Sequence, residues 1–539
     1  MILQGLRRYG NFLYHPIRHV FLPVVVLLAV SCHDRQDKEN VGKSPQEAGE
    51  RLARLHCGGC HIFPEPALLE KQLWKDRVLP AMAHRLGVGD STDHPLMKIP
   101  YYERYAVEQA NLFPQNSLLS TEDWEKIVNY YHNSSPEKIL PGPDTASLAP
   151  LELFEPRPKP RDSVNLPLTT LVHIDTVHRQ LIIGNRYNNI TINSPEGVQL
   201  DQRPLSSPPV DCQVIGDTLL YVLSIGIMDP NDRDLGTLES IGYQKGRWNR
   251  KQQRVLGKYL KRPVNFLLSD FDKDGRTDVF MCNFGHYTGS FTLFEKTNSG
   301  AFKARQLLDN NPGARKAEGV DLNGDGWEDI VVLMTQGDEA ITAYINKQGK
   351  GFEQRILMRF PPVYGSSYFE LTDWDHDHDL DIIYTNGDNA DYSFSLKNYH
   401  GVRCFINQGD LEFEELFFVP IYGATKSLTE DFDKDGDMDI AVISYFADFE
   451  NTPEKGFVYL ENTGQSRFVQ RTFEGSDLGR WLTMDKGDVD GDGDVDLLLG
   501  SFVYNATPVP KSIQKTWINH GVEFILLLNS LETKEVPMP

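Results

Sequence analysis

Basic residues are the minority among the charged residues of this sequence. Lysine and arginine number 54 against 76 aspartates and glutamates, and the formal net charge is −22. This balance argues against nucleic acid as a partner, because surfaces that bind nucleic acid are basic. Much of the acid lies in short Asp-rich clusters, which indicates cation sites rather than an acidic tail. We also find no serine or cysteine placed beside a base in a pattern typical of covalent catalysis, so the sequence alone leaves open whether the protein is an enzyme.

The sequence also has no apolar run long enough to span a bilayer with ease. Residues 20–30 are apolar, but the run is short, follows a basic stretch and is interrupted by Pro23. It ends in Ala29-Val30-Ser31-Cys32, which resembles the lipobox of bacterial lipoproteins. The resemblance implies a signal peptide over residues 1–31, lipid on Cys32, and an exported chain anchored to a bacterial membrane in the periplasm or at the cell surface. An ordinary signal peptide or an uncleaved anchor is the alternative.

Cysteine is scarce, with six in 539 residues and one closely spaced pair, Cys57 and Cys60, followed directly by His61. A zinc site would need two further thiol or imidazole ligands, for which only His56 and His84 are available nearby. A redox dithiol of the thioredoxin type needs a βαβ context, whereas the flanks here have helical patterns. C-x-x-C-H is instead the attachment signature of c-type haem, in which the thiols bond the haem and the histidine ligates the iron.

The other three cysteines, Cys212, Cys282 and Cys404, lie in apolar, strand-like runs. This context predicts buried free thiols.

Three helices are predicted around the C-x-x-C-H motif: residues 44–55, residues 68–86 and residues 119–132 with Ser120 as N-cap. A helix that enters the motif and a closing helix packed on it resemble the class I cytochrome c fold, over residues 48–138.

This resemblance implies covalent haem c held by Cys57, Cys60 and His61, with a methionine as sixth iron ligand. We assign the sixth ligand to Met82, which follows Pro80, with Met97 and His84 as alternatives. A polar tether over residues 32–47 precedes this domain, and a Pro-rich linker over residues 139–163 follows it.

The second half of the chain contains one pattern five times, at starts that are 51, 52, 58 and 57 residues apart. The copies are DFDKDGRTD from Asp270, DLNGDGWED from Asp321, DWDHDHDLD from Asp373, DFDKDGDMD from Asp431 and DVDGDGDVD from Asp488. Acids at positions one, three and five with glycine at six are typical of a calcium loop. An EF-hand also needs Glu at position twelve, where these copies have apolar or aromatic residues in β-like runs. The loops therefore lead into strands, and EF-hands are excluded.

The combination D-x-D-x-D-G-x-x-D followed by an apolar strand is similar to the FG-GAP/VCBS repeats of integrin-type propellers. The resemblance implies up to five Ca²⁺ ions, held by the side chains at positions one, three, five and nine and by the carbonyl of position seven. The implied ligand sets are Asp270, Asp272, Asp274, Arg276 and Asp278; Asp321, Asn323, Asp325, Trp327 and Asp329; Asp373, Asp375, Asp377, Asp379 and Asp381; Asp431, Asp433, Asp435, Asp437 and Asp439; and Asp488, Asp490, Asp492, Asp494 and Asp496. The third set is the least regular, because His378 replaces the glycine.

Two weaker copies, residues 171–185 and 208–226, have the same strand–turn–strand pattern without acidic loops. With the five acidic copies they predict seven blades. We therefore expect a multidomain chain: a small all-α cytochrome c-like domain followed by an all-β seven-bladed propeller over residues 164–535, whose closed ring hides its sheet edges.

Function on the propeller is expected in the loops that follow the apolar run of each blade, which we take to be the innermost strand. These loops are polar and aromatic, and we expect them to converge on one face that binds a sugar, a protein or the helical domain. The candidate residues are Arg186, Tyr187, His286, Tyr287, Asp388, Asp391, Tyr392, Tyr445, Asp448, Tyr504 and Asn505. His286 with Asp388 or Asp391 is a candidate acid–base pair.

Three functions fit these patterns. The first is electron transfer by a lipoprotein, with an unknown redox partner docked on the propeller. The second is a surface module that binds a polymer or a protein. The third is a haem-dependent oxidoreductase, similar to quinoprotein dehydrogenases, but the seven tryptophans show no periodic pattern, which argues against the bound quinone of those enzymes. The sequence favours the first.

Overall fold

The computed structural model describes residues 44–140, 142, 147–161, 165–216, 218–389, 394–504 and 507–531. The predicted signal peptide, Cys32, most of the tether, Asp391, Tyr392 and Asn505 lie outside these residues. Within the described part, no helix is long and apolar enough to cross a bilayer.

The first part of the chain, residues 45–134, is helical and is called the helical unit below. Its helices are α1 (Pro45–Cys57), α2 (Lys71–Leu73), α3 (Leu79–Arg85), α4 (Pro95–Lys98), α5 (Tyr101–Gln109) and α6 (Thr121–Ser134). A π-helical turn, Trp74–Val78, joins α2 to α3, and 3₁₀ turns lie at Pro66–Leu68 and Ser91–Asp93. Helices thus lie at all three predicted places, and Ser120 caps α6 by accepting a hydrogen bond from the Asp123 N–H at 3.0 Å.

Helix α1 packs against α6 through a shared apolar core. Leu52, Ala53 and Cys57 of α1 belong to the same buried cluster as Ile127 and Tyr131 of α6. The two helices cross closely at Gly49, where a Cβ would lie 2.4 Å from the carbonyl oxygen of Lys126. This crossing therefore requires glycine, and it fixes where the end of α1, and with it the C-x-x-C-H motif, sits against the closing helix.

Seven β-sheets follow, and they confirm the predicted all-β seven-bladed propeller. Two strands precede the first blade: β1 (Ala149–Pro150) and β2 (Phe154–Pro160). Blade 1 contains β3 (Thr169–Asp175), β4 (Gln180–Asn185), β5 (Asn189–Asn193) and β6 (Gln199–Pro204), and blade 2 contains β7 (Pro209–Ile215), β8 (Leu219–Ser224), β9 (Asp234–Gln244) and β10 (Arg247–Lys261). Blade 3 contains β11 (Pro263–Ser269), β12 (Asp278–Asn283), β13 (Ser290–Lys296) and β14 (Phe302–Asp309), and blade 4 contains β15 (Ala314–Val320), β16 (Asp329–Met334), β17 (Glu339–Asn346) and β18 (Phe352–Phe360).

The last three blades follow the same order. Blade 5 contains β19 (Ser366–Thr372), β20 (Asp381–Asn386), β21 (Gly401–Asn407) and β22 (Phe413–Pro420), and blade 6 contains β23 (Ala424–Glu430), β24 (Asp439–Ser444), β25 (Phe457–Asn462) and β26 (Phe468–Thr472). Blade 7 contains β27 (Trp481–Gly487), β28 (Asp496–Ser501) and β29 (Val522–Asn529), with a fourth strand from elsewhere in the chain. Helix α7 (Lys511–His520) lies between β28 and β29, and 3₁₀ turns lie at Pro453–Gly456 and Ser476–Leu478.

The ring is closed by β2, which pairs antiparallel with β29 as the outer strand of blade 7. This corrects the predicted linker, since residues 149–160 belong to the propeller; β1 likewise pairs with β26. The sequence of β2, FEPRPKP, argues against a strand because proline cannot donate to a ladder. Its prolines stand at every second residue, however, so the missing N–H groups all lie on the side away from β29, and an edge strand tolerates them.

The innermost strand of each blade is the first one, not the apolar run that the sequence analysis placed there. Strands β3, β7, β11, β15, β19, β23 and β27 contact one another in turn around the ring. The apolar runs β12, β16, β20, β24 and β28 are second, and every residue in them is buried. Their central residues are mostly apolar because the neighbouring blades cover both faces of the strand, as in any fully buried strand.

Candidate functional site

The five predicted calcium loops, called the Asp loops below, connect the first and second strands of blades 3 to 7. They share one backbone conformation, with left-handed residues at positions four and six. Position four is Lys273, Gly324, His376, Lys434 or Gly491, with φ between 55° and 77°, and position six is Gly275, Gly326, His378, Gly436 or Gly493, with φ between 76° and 98°. His378 therefore adopts the backbone of the glycine that it replaces.

This conformation brings the carboxylates of each loop together. In four loops, three carboxylates offer oxygens within 4.8 Å of one another: Asp270, Asp272 and Asp274; Asp373, Asp375 and Asp381; Asp431, Asp433 and Asp435; and Asp488, Asp490 and Asp492. In the remaining loop, the Asp325 N–H donates to Asp321 Oδ1 at 3.1 Å and to Asn323 Oδ1 at 2.9 Å, which places those two oxygens together as well.

The aspartate at position nine ties each loop to its blade. Its carboxylate is buried and accepts a hydrogen bond from a backbone N–H at the end of the third strand, as between Asn529 and Asp496 at 2.9 Å. Burial, and with it the charge of the neighbouring loop aspartates, raises the pKa of these carboxyls, to about 6 for Asp278 and about 7 for Asp439 and Asp496. Each loop thus concentrates negative charge that a cation would stabilise.

The donor set fits calcium. Calcium prefers oxygen ligands, and four buried loop oxygens have no hydrogen-bond partner within the described chain: Oδ1 of Asp272, Asp373, Asp379 and Asp431. A buried carboxylate oxygen without a partner is costly. Asp272, Asp373 and Asp431 belong to the groups of three carboxylates, so their oxygens lie where ligands of an ion would. Asp379 is at position seven and is not in such a group. In the first loop Arg305 bonds the other oxygen of Asp272 at 2.9 Å, which leaves Oδ1 for an ion.

A known family of repeats matches the part of the chain that contains the Asp loops. Residues 270–332, 321–384 and 431–499 match the profile of the FG-GAP-like repeat. These stretches, which contain all five Asp loops, are FG-GAP-like repeats.

No curated protein matches the chain in sequence. Among solved structures, the chain is similar to the N-terminal domain of Nup159, with 9% identity, 71% of this chain and 97% of that chain covered, and a TM-score of 0.40. It is also similar to BBS1N in a complex with ARL6DN (12% identity, 70% and 100% covered, TM-score 0.40). A third similar structure is the WD40 domain of Neurospora crassa Pan2 (9% identity, 67% and 88% covered, TM-score 0.40).

The C-x-x-C-H segment lies at the end of α1. Cys57 is buried in the core shared with α6, Cys60 is exposed, and His61 is half-buried. His61 Nδ1 lies 2.8 Å from the carbonyl oxygen of Ile62. A carbonyl can only accept, so Nδ1 donates. In the neutral ring, this leaves the lone pair on Nε2, which is the arrangement that a metal-ligating histidine has.

The backbone between the two cysteines also suits a tight attachment turn. A Cβ at position 58 would lie 2.6 Å from the carbonyl oxygen of Arg54, so Gly58 is required there. The donor set of Cys57, Cys60 and His61 fits covalent haem c.

The two alternatives for the cysteine pair fit less well. Burial raises the pKa of the Cys57 thiol to about 11, whereas a redox dithiol needs a thiol with a lowered pKa. Among the described residues, the groups of three or more possible metal ligands within 4.8 Å are aspartate clusters, and none contains a cysteine. This arrangement does not favour zinc.

The three candidates for a sixth iron ligand lie in different surroundings. Met82 is half-buried and packs on the cluster that contains Cys57. Met97 is 64% exposed. His84 is buried with its ring 5.4 Å from that of His94, and a Cβ on Gly89 would clash with it. Met82 is the candidate that shares a core with the attachment segment.

The loops that follow the second strands do lie on one face, which we call the loop face. Because successive strands run antiparallel, this face is opposite to the Asp loops. On it, the Arg186 guanidinium lies 4.4 Å from the Tyr504 ring centre, and the Tyr445 hydroxyl donates to the Tyr504 carbonyl oxygen. Tyr445 itself is buried, under the guanidinium of Arg480, and so supports the face rather than forming its surface. The Asp448 carboxylate accepts hydrogen bonds from the Asn451 amide and backbone, within its own loop.

The predicted acid–base pair joined His286 to Asp388 or Asp391. Asp388 is not among the groups that shift the pKa of His286, and Asp391 lies outside the described residues. Burial lowers the pKa of His286, and the charged groups that act on it are Asp232 and Arg262 of the propeller and Glu103 and Arg85 of the helical unit. Asp388 instead influences Arg315 and Glu339.

Part of the loop face is covered by the helical unit, and the sequence does not predict which part. Glu103 of α5 accepts a hydrogen bond from the Asp232 N–H at 3.0 Å, and the Phe113 ring packs on Tyr287 at 5.9 Å. The Tyr399 hydroxyl donates to the Leu68 carbonyl oxygen at 3.0 Å. The helical unit thus contacts loops of blades 2, 3 and 5. In the sequence, this contact surface was indicated only by the aromatic residues of those loops.

Proposed function

We propose that this chain is an exported, lipid-anchored c-type cytochrome whose propeller is stabilised by calcium, and that it transfers electrons to or from a partner or substrate docked on the propeller. The observation that carries the proposal is the C-x-x-C-H segment at the end of α1, with His61 Nδ1 donating to the Ile62 carbonyl at 2.8 Å. Bound haem c would supply a one-electron redox centre, with Cys57, Cys60 and His61 holding it and Met82 as sixth ligand.

The packing of the helical unit supports this proposal. Cys57 and Met82 contact one apolar cluster, and a low-dielectric surround is what tunes the potential of an iron centre. The unit also sits on the loop face, through Glu103 and Phe113. A redox centre in this unit would therefore lie on the same side of the propeller as the uncovered part of that face.

Calcium in this proposal has a structural role. An ion in each Asp loop would neutralise carboxylates that otherwise repel one another, and would hold the first and second strands of that blade together.

A second candidate is a haem-dependent oxidoreductase that acts on a substrate in the propeller mouth. The contact between Phe113 and Tyr287 favours it, because it brings the helical unit to the loops where such a substrate would bind.

The decisive test is covalent haem. The full chain is expressed in a host with c-haem maturation machinery, denatured, and stained for haem on a gel. We expect the stain to remain with the protein and to be lost in Cys57→Ala and Cys60→Ala, while Cys212→Ala, which removes a buried free thiol in blade 2, keeps it. Absence of haem from the denatured wild type would refute electron transfer. Metabolic labelling with a radioactive fatty acid, compared between wild type and Cys32→Ala, tests the lipid anchor.

A further inference from the structure

The exposed tyrosines of this protein are not spread evenly over its surface. Six tyrosines are exposed in the described part of the chain: Tyr101 (87%), Tyr102 (68%), Tyr105 (71%), Tyr187 (40%), Tyr504 (43%) and Tyr259 (79%). All but Tyr259 lie on α5 or in the loops of blades 1 and 7 on the loop face. An exposed aromatic side chain on its own needs no explanation, but a group of five does.

A series of contacts through one propeller loop connects two of these tyrosines, Tyr102 of the helical unit and Tyr504 of blade 7. The Arg233 guanidinium lies 5.0 Å from the ring centre of Tyr102. Arg233 shares a loop with Asp229, and Asp229 pairs with Arg186 at 2.6 Å. The Arg186 guanidinium in turn lies over the ring of Tyr504.

Next to Arg186 in sequence, Tyr187 donates from its hydroxyl to the Leu166 carbonyl oxygen at 3.1 Å. We call this surface the tyrosine belt, and its residues are Tyr101, Tyr102, Tyr105, Arg233, Asp229, Arg186, Tyr187, Tyr504 and Leu166.

We propose that the tyrosine belt binds a neutral polysaccharide. Tyrosine rings present a flat apolar face, with a hydroxyl at the rim, to the flat apolar face of a sugar ring. Arg186 and Asp229 offer planar donors and acceptors that match neighbouring hydroxyl groups. Arg186 and Asp229 pair with each other, and the Arg233 guanidinium faces the Tyr102 ring. Each charged side chain of the belt therefore has a partner within it, and a neutral ligand needs no counter-charge.

The layout of the belt favours a polymer over a single sugar. Tyrosines on α5 and tyrosines at blades 1 and 7 belong to separate elements, and the belt runs directly beside the contact between Glu103 and Asp232 that holds the helical unit. A long polysaccharide could contact both groups of tyrosines at once. Each weak contact then raises the effective concentration of the neighbouring sugar units for the next contact. A protein partner is the competing occupant, since tyrosine and arginine are also enriched in protein interfaces. The core of such an interface is depleted of charged residues, however, whereas Arg186, Asp229 and Arg233 lie among the tyrosines of the belt.

The test is native electrophoresis of the full chain, held in a polyoxyethylene detergent, through gels that contain laminarin, xylan, galactomannan, dextran or starch. We expect at least one polysaccharide to retard the protein, with the matching monosaccharide unable to compete at millimolar concentration. Tyr187→Ala, Tyr504→Ala and Tyr101→Ala should each weaken retardation about fivefold to tenfold, the loss expected for one aromatic contact. Tyr259→Ala is the matched control and should leave retardation unchanged.

Unchanged melting temperatures of the three variants would show that they fold. Retardation by none of the polysaccharides would overturn the proposal, as would equal losses in the belt variants and in Tyr259→Ala. Cross-linking of the belt to another protein, abolished by the same three substitutions, would assign the surface to a protein instead. Haem attachment is measured separately on the same preparations, so the failure of the proposed redox function and the failure of polysaccharide binding are distinguishable.

Discussion

The carboxylate of Glu103, on α5, accepts a hydrogen bond from the backbone N–H of Asp232, in the loop between β8 and β9. Asp232 in turn accepts hydrogen bonds from the N–H groups of Tyr287 and Thr288 in blade 3. All of these acceptors are buried, so this short network joins the helical unit to two blades at once.

We expect Glu103→Ala to loosen the helical unit from the propeller. The Asp232 N–H would remain buried without an acceptor, at a cost of about 1–3 kcal/mol. Hydrogen exchange should therefore become faster in α5 and in residues 227–233. Glu108→Ala, on the exposed face of the same helix, is the control. Equal exchange in both variants would mean that Glu103 does not hold the interface.

Removal of calcium should destabilise the propeller. If the Asp loops bind calcium, chelation leaves mutually repelling carboxylates, and each site saturated at 100 times its dissociation constant would lose about 2.7 kcal/mol. Scanning calorimetry in 1 mM calcium and in excess chelator measures the change, and readdition of calcium should restore the melting temperature. The same melting temperature in both buffers would contradict a structural role for calcium.

His378→Gly should stabilise the third Asp loop. His378 has φ of +76°, a conformation that glycine adopts without the Cβ cost, so we expect a gain of about 1 kcal/mol in the free energy of unfolding. Gly436→Ala in the fourth loop, at φ of +98°, is the reciprocal variant and should cost a similar amount. Denaturant titration measures the free energy of unfolding of both variants. If the two substitutions changed it in the same direction, backbone strain at position six would not determine the stability of these loops.

Met82→Ala should change the iron site if haem is bound as proposed. Loss of the thioether would leave the sixth position to a weaker ligand or to solvent, so the visible spectrum should shift from low spin to high spin and the reduction potential should fall. Met97→Ala removes the exposed alternative and should leave both unchanged. If instead His84→Ala alone changed the spectrum, the sixth ligand would be the histidine.

One ion pair predicts a dependence of stability on pH. His173 Nδ1 lies 3.1 Å from Asp485 Oδ2, between blades 1 and 7. Burial alone would lower the pKa of His173, but the hydrogen bond and charge of Asp485 raise it overall. Because the pKa of His173 is higher in the folded state, the ion pair contributes its full stabilisation of the folded protein at pH values below the ordinary histidine pKa of 6.5. The protein loses this stabilisation as pH rises through the raised pKa.

The unfolding free energy of the wild type should therefore decline more steeply above pH 6.5 than that of His173→Gln. Urea titrations at half-unit steps of pH measure the two slopes. Parallel profiles would mean that the pair contributes nothing that depends on the charge of His173.

The loops and the second strands of the five acidic blades were predictable because their signals are local. Alternation of aspartates with a turn residue at position six, followed by an apolar run, specifies a tight loop and a buried strand within some twelve residues. The helix caps were predictable for the same reason: Ser120 and Asp123 lie within one turn of each other.

The order of strands within a blade was not predictable from those signals. An innermost strand and a second strand are both covered on two faces. An apolar run such as β16 is therefore compatible with either position. The actual inner strands are more polar because they are tied across the ring by side chains, as where the Asp485 carboxylate accepts from the Ile174 N–H and the Lys426 ammonium donates to the Met484 carbonyl. These bonds join residues from different blades, which no local pattern contains.

By itself, the amino-acid sequence determined the five Asp loops, the seven blades, the three principal helices and the spacing of Cys57, Cys60 and His61. Each of these depends on residues close together in the chain, whose periodicity or spacing is the physical cause of the local structure. Only the tertiary structure decided that β2 closes the ring on β29, that the first strand of each blade is innermost, and that the helical unit covers blades 2, 3 and 5 of the loop face. Those outcomes depend on surfaces that meet across hundreds of residues, and they are selected by packing and by satisfaction of buried polar groups rather than by local preference.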